Sequence, residues 1–470
     1  MKSSLACLGL ALALAAPARA QSPDDPIKLT LTPAAAPAPL LKYRLLPELA
    51  DTQPGNAALL YQRAHSFEWW TNIRQQRYYA DISDWLDLPF KKLPPEAEFV
   101  RQFSALREVD LAARREHCDW EMTSRLKQDG IGTLIPDVQG FREYAVLLGL
   151  RCRFEIADKD YPKAVYTLQS GFALARHVNE APILINSLVG MAISDVMFRR
   201  VEEMIQAPGA PNLYWALTAL PRPLIDLRKG LEGEKMMLET EFPELKIIET
   251  EPLSPHAQQK LLKRLADRGW LALLGHDPES GWQQKFGFLS IALKAYPQAK
   301  RSLVAQGHPP AEVEAMPVMQ VVLIDALRHY RVVRDQTFVW ANLPYWQAQA
   351  GWKKADNDMR GLVKKQPAAS LFVAFLPAVH RVFAASARLD RRIAALRCIE
   401  AIRLHAAAHG GQLPAKLADI TVVPVPDDPA TGKSFVYRVD GNRVTLRDPP
   451  LADGQPGLPT PLHYELTFKR

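Results

Sequence analysis

The stretch "HCDWE" sets His117 and Glu121 four residues apart. On a helix that spacing puts an imidazole and a carboxylate on one face, as in a general base with its orienting acid or part of a metal site. The plainer reading is a surface pair worth about 0.2–0.5 kcal/mol. "HAAAH" repeats the spacing with His405 and His409 but lacks the glutamate of the zinc-binding H-E-x-x-H helix. Near a helix C-terminus, partly cationic imidazoles also suit the negative end of the dipole. "EGEKMMLETEFPE" offers Glu232, Glu234, Glu239, Glu241 and Glu244. Paired carboxylates perform glycosidic chemistry, but on a helix these five fan over several faces. No G-x-S-x-G nucleophile elbow occurs. His117 and Glu121 are the catalytic candidates that remain, without a third group to complete them.

"DPATGKSFVYR", Asp428 to Arg438, contains the Gly-Lys-Ser that ends a phosphate-binding loop. Such a loop needs a glycine five residues before its Gly-Lys, and here that position holds Asp427, followed by Asp428. Two carboxylates repel the polyphosphate they should cradle. The loop should also open a helix whose N-terminus faces the anion, whereas "SFVYRV" alternates like a strand. A nucleotide is excluded, and no spacing implies another cofactor.

The elements that must position these residues begin with an export signal. Lys2, the apolar run Leu5 to Ala16 and the pattern Ala18-Arg19-Ala20 make a secretory signal peptide cleaved after Ala20. The run is shorter than the roughly 20 residues that span a bilayer, and no later segment is long enough. "SLFVAFLPAV", Ser370 to Val379, reads as a buried helix, so no transmembrane span is expected after cleavage. Losing Lys2 and Arg19 takes the formal charge from +7 by two to +5, scattered rather than clustered. That excludes a dedicated nucleic-acid binder, which concentrates its positive charge. Cys118, Cys152 and Cys398 remain after cleavage, an odd number in a compartment that permits disulfides. Each lies in an apolar helical pattern, which favours three buried thiols over a Cys118–Cys152 bridge.

Residues 21–55 are Pro- and Ala-rich ("LTPAAAPAPL") and read as an extended tether. Residues 56–365 read as a helical domain. Phe99, Phe103, Leu106, Val109 and Ala113 step by threes and fours, predicting a long helix that carries His117 and Glu121 and ends at Gly130. "FREYAVLLGLRCRFEIA", "DKDY" and "PKAVYTLQSGFALARHV" predict a helical hairpin, with Asp160 as cap and Pro162 in the first turn. "APILINSLVGMAISDVMFRRVEEMIQ" is apolar nearly all round and predicts a central helix. Residues 366–470 differ in kind. A helix from Ser386 to His409, stopped by Gly410-Gly411, precedes three alternating segments, "SFVYRV", "RVTLRD" and "HYELTF". The fold class expected is mainly α, with a small α+β C-terminal unit of one long helix and three antiparallel strands.

Three resemblances add to this reading. The hairpin resembles a single tetratricopeptide-type unit: Tyr161, Ala164 and Leu168 match its turn tyrosine, packing alanine and large second-helix residue. Arg151 and Glu155 stand where that repeat prefers apolar side chains, and no second copy follows, whereas an array needs about three. The segment from about 386 to 447, "DRRIAALRCIEAIRLHAAAHGGQLPAKLADI" with "PVPDDPATGKSFVYR", resembles the soluble part of the major pseudopilins of type II secretion systems. Asp428, Pro429, Gly432, Phe435 and Tyr437 match its D-P-x-x-G-x-x-[FY]-x-Y pattern. The leader heading the polymerising helix of that family does not head this one, so polymerisation is not carried over. Some members hold calcium in their C-terminal loops, which would make Asp427, Asp428, Asp440 and Asp448 its oxygen donors here; aspartates beside proline and glycine are also ordinary turn formers. The whole chain is similar to uncharacterised exported proteins of planctomycete-type bacteria, through "DYPKAVYTLQSGFALARHV", "GAPNLYWALTALPRPLIDLRKGLEGE" and "DPATGKSFVYR". That similarity implies no particular activity.

The residues favour a secreted or periplasmic, non-catalytic interaction or structural protein of the cell envelope, its partner an unknown envelope protein or glycan. One alternative is an exported hydrolase or glycan-processing enzyme. The other is a sugar-binding module built on exposed tryptophans from the ten present, among them Trp69, Trp70, Trp215, Trp270, Trp282, Trp340, Trp346 and Trp352.

Overall fold

The computed structural model describes residues 25–66, 78–129, 138–267, 281–365, 372, 376, 379–450 and 461–469. The expected signal peptide lies outside them, as do Trp69, Trp70 and Trp270. The protein is mainly helical with a small sheet. In chain order the elements are β1 (Ile27–Leu31), β2 (Gln53–Asn56), α1 (Ala57–His65), α2 (Tyr78–Trp85), α3 (Ser104–Ala113), β3 (Arg115–His117), α4 (Met122–Asp129), α5 (Val138–Ala157), α6 (Tyr161–Val178), α7 (Leu184–Ile205) and α8 (Tyr214–Thr218). There follow α9 (Arg228–Glu241), α10 (Pro255–Asp267), α11 (Gly281–Ala305), α12 (Pro310–Ala315), α13 (Val318–Phe338), α14 (Tyr345–Lys365), α15 (Val379–Ala408), β4 (Val436–Asp440), β5 (Arg443–Arg447) and β6 (His463–Phe468). Among the described residues no helix is long and apolar enough to cross a membrane.

The hairpin forms where its sequence asks for it. Asp160 accepts a hydrogen bond from Lys163 N, which satisfies one of the orphan amides at the start of α6, and Pro162 occupies the first turn. Helix α7 folds back against both α5 and α6 and is buried along most of its length. Gly190 lets it approach: a side chain there would press on the Ala175 carbonyl of α6. The long helix α15 begins at Val379, earlier than Ser386, and ends as expected. Gly410 and Gly411 take φ of 64° and 91°, and Gly411 N donates to Ala406 O at 2.7 Å.

Two expectations are corrected. The 21–55 segment is not a tether throughout, because Ile27–Leu31 forms a strand parallel to β6. The sheet therefore has four mixed strands in the order β1-β6-β5-β4, rather than three antiparallel ones. Ile27, Leu29 and Leu31 alternate with Lys28 and Thr30, and the burial of Leu29 and Leu31 drives the pairing. The long helix expected over residues 98–130 is also broken. Its Arg114 carbonyl, which should accept from Cys118 N, accepts from Gln53 N at 2.8 Å. Asn56 then holds Asp119 at both ends, accepting from its N–H at 2.9 Å and donating to its carbonyl at 2.8 Å. The chain leaves α3, runs through β3 beside β2, and turns at Glu121 with φ 56°.

The expected division near residue 365 does not match the packing. One hydrophobic core runs from Leu29 of β1 through α5 to α8, then through α15 to Phe468 of β6. A second, from Leu238 to Phe372, gathers the end of α9 with α10, α11 and α13. Helix α9 joins the two: Leu231 belongs to the first core and Leu238 to the second.

Candidate functional site

The richest gathering of charged side chains lies along α15, where Arg391, Arg397 and Arg403 are buried and Arg392 is nearly so. Arg391 donates from Nε to Asp428 Oδ1 and from Nη1 to Asp448 Oδ2, both at 3.1 Å. Arg392 forks onto Glu202 of α7 at 2.9 and 2.7 Å and also bonds Asp195. The Tyr464 hydroxyl of β6 donates to the same Glu202 at 2.6 Å. Arg397 donates to Thr218 Oγ1 at 2.9 Å. Arg403 pairs with Glu400 at 2.8 Å, both side chains without exposed surface, and donates to the carbonyls of Thr32 and Ala210. Glu400 in turn accepts from Leu213 N. Burial raises the Glu400 carboxyl, while Arg403 holds it down. Each guanidinium thus fastens α15 to a different part of the chain: the C-terminal loops, α7, α8 and the residues after β1.

The aspartates considered for calcium are distributed by this scheme. Asp428 is wholly buried and accepts from Arg391, from Ala430 N at 2.8 Å and from Thr431 Oγ1 at 3.1 Å. Arg391 therefore holds the place a cation would take between Asp428 and Asp448. Asp427 is exposed and accepts from Ser434 Oγ, and Asp440 is exposed on β4. The "DPATGK" loop is a turn closed by Gly432 N donating to Asp428 O at 2.7 Å. Trp346 of α14 lies flat against Gly432.

The catalytic candidates do not meet as expected. His117 sits in β3 and Glu121 in a left-handed turn, both exposed, so they share no helical face. His405 and His409 do stack, with ring centroids 4.0 Å apart, and His409 Nδ1 donates to His405 O at 2.8 Å. Burial, then His409, lowers the affinity of His405 for a proton. Of the five glutamates, Glu239 pairs with Arg331 and Glu244 with Arg264 across to other helices. Glu234 accepts from Leu184 N at the start of α7, and burial lifts its carboxyl to about 7. Among the described residues no three His, Cys, Asp or Glu side chains gather as metal ligands. The three cysteines are buried and unbridged, and burial pushes their thiols up.

Sequence reading missed two internal clusters. Arg151, which departs from the tetratricopeptide pattern, forks onto Asp110 of α3 at 2.8 and 2.9 Å, and Ser170 donates to the same carboxylate at 2.6 Å. The guanidinium of Arg114 lies 3.5 Å above the Tyr166 ring. Tyr61 Oη stands 3.0 Å from His177 Nδ1 inside an aromatic nest with Trp120 and Phe141, and burial takes His177 down to about 4. A polar residue on an otherwise apolar helix face is the signal that finds such groups.

Two cavities open beside these elements. One of about 330 Å³ lies under residues 86–89. Of its three arginines, Arg153 donates to Glu203 and to the carbonyls of Trp85 and Leu88, and Arg199 reaches Asp87. Arg200 bonds Glu203 and the Leu86 carbonyl but keeps a buried Nε without a partner among the described residues. The other, about 420 Å³, is lined by Leu46, Leu49, Ala216, Leu220 and Pro221. Trp346 is 46 % exposed, while Trp352 is buried on Phe383 and Trp340 lies under Gly351. The chain matches no family model, no curated protein and no solved structure.

Proposed function

We propose that this chain is an exported, non-catalytic interaction or structural protein of the cell envelope. The observation that carries the reading is the use to which buried charge is put. Arg391, Arg392, Arg397 and Arg403 each bond a group on a distant segment, and Asp110 does the same for α3, α5 and α6. Catalytic groups need a cavity and unspent hydrogen-bonding capacity; these are enclosed and committed to tying the molecule together. A rigid body of this kind serves as a platform for another envelope component. The test is fractionation of the producing cell, with intact mass measured on the recovered chain. Mass beginning at Gln21 in the envelope or medium supports the proposal; an uncleaved chain in the cytosol overturns it.

Sugar binding is the second reading, carried by Trp346. One face of its indole is seated on Gly432, and much of the ring remains exposed, the form of a stacking platform. Binding to a glycan panel that Trp346→Ala abolishes would favour it over the first.

A further inference from the structure

The sheet has two edges, and they are treated differently. The edge at β1 faces α7, where Gln206 Oε1 accepts from Thr30 N at 3.0 Å. The other edge is β4. Its inner and outer residues follow from the register. Phe468 N donates to Asn442 O at 2.8 Å, so Asn442 faces β6, and with it Val444 and Leu446. Arg443, Thr445 and Arg447 therefore face β4, and their partners Asp440, Arg438 and Val436 face back to β5. The N–H and C=O groups of Tyr437 and Val439 then point away from the sheet. Among the described residues no hydrogen bond reaches them.

We propose that β4 is a self-association edge, pairing antiparallel with β4 of a second copy to make one continuous eight-stranded sheet. A two-fold axis through Val439 fits both the backbone and the charges. Val439 meets its own counterpart as a hydrogen-bonded pair, using the outward groups of both strands. One residue away, Arg438 stands opposite Asp440 of the second copy, and the symmetry makes that pair twice. Such directly opposed residues flank a hydrogen-bonded pair at the shorter inter-strand distance, where opposite charges attract best. Both side chains are exposed on the solvent face of β4. The half-buried Val439 and Tyr437 on the other face gain cover from the same pairing. A two-fold axis through Arg438 would also fit the backbone, pairing Tyr437 with Val439 of the other copy, but it sets Arg438 opposite its own counterpart; the charges select the axis through Val439. The interface is isologous and closes at two copies. It stands whether or not the protein is exported.

Sedimentation of the full chain tests this. The wild type is expected to reach twice the monomer mass as concentration rises. Val439→Pro removes only the outward N–H and spares the ladder to β5, so it stays monomeric with its helical signal intact. Arg438→Asp and Asp440→Arg each place like charges in register and are monomeric alone; mixed, they restore both opposite-charge pairs and associate. A wild type that is monomeric throughout, a dimer that Val439→Pro leaves intact, or a mixture that fails to pair overturns the proposal. Association with a foreign strand in place of a second copy would appear as the first of these.

Discussion

Asp428 shows how a residue type can be identified while its partner is not. A loop aspartate beside proline and glycine fits a turn, a cation or an ion pair equally well in sequence. In the structure its partner is a guanidinium 37 residues earlier in the chain, Arg391. Removing one member of a buried pair leaves the other charge without compensation, at a cost of about 3–5 kcal/mol. Asp428→Ala is therefore expected to lower the urea midpoint by that equivalent. Calcium or a chelator should leave the wild-type melting temperature where it is. A calcium-dependent rise that Asp428→Ala abolishes would show that a cation takes the place assigned here to Arg391.

At the level of elements, much was legible where local rules decide. The α5–α6 hairpin, its Asp160 cap, the Gly410-Gly411 stop and the alternation of β4 and β5 are all readable, because each depends on residues adjacent in sequence. The broken helix after Ala113 was not, since the competitor for the Arg114 carbonyl is Gln53, far away along the chain. His117 and Glu121 lost their shared face for the same reason. The corner between α9 and α7 is another contact of this sort. Gly233 brings α9 so close that a side chain there would overlap the Pro182 carbonyl, and Glu234 then bonds Leu184 N, where α7 lacks a side-chain cap of its own. With burial holding the Glu234 carboxyl at about 7 instead of the ordinary 4.5, the unfolded chain gives up that proton first as pH rises. Folding stability therefore falls between pH 4.5 and 7, by about 1–3 kcal/mol. Glu234→Gln keeps an oxygen for Leu184 N and removes the titration. It is expected to match the wild type at pH 4 and to exceed it at pH 8 in thermal melts. Equal stability of the two at pH 8 would remove Glu234 as the cause.

Across the whole molecule, the first and last strands of the described residues, β1 and β6, are neighbours. A proline-rich start invites the picture of a tether, and the five alternating residues of "IKLTL" are too few to stand out against that composition. The strand they form completes the sheet: Lys469 N donates to Leu31 O at 2.8 Å, Arg403 Nε donates to Thr32 O, and Ala34 N donates to Arg403 O. Leu29 and Leu31 are buried at 4 % and 0 % exposure, and burial of two leucines is worth roughly 3–6 kcal/mol in all. That is comparable with the 5–15 kcal/mol by which a domain is stable. A chain starting at Ala36 should therefore melt far below one starting at Gln21, or fail to fold. Its α15 amides should also exchange faster, because Arg403 would be left buried without its Thr32 acceptor. If the segment were only a tether, the two chains would melt together, and identical melting curves would refute the structural role assigned to β1.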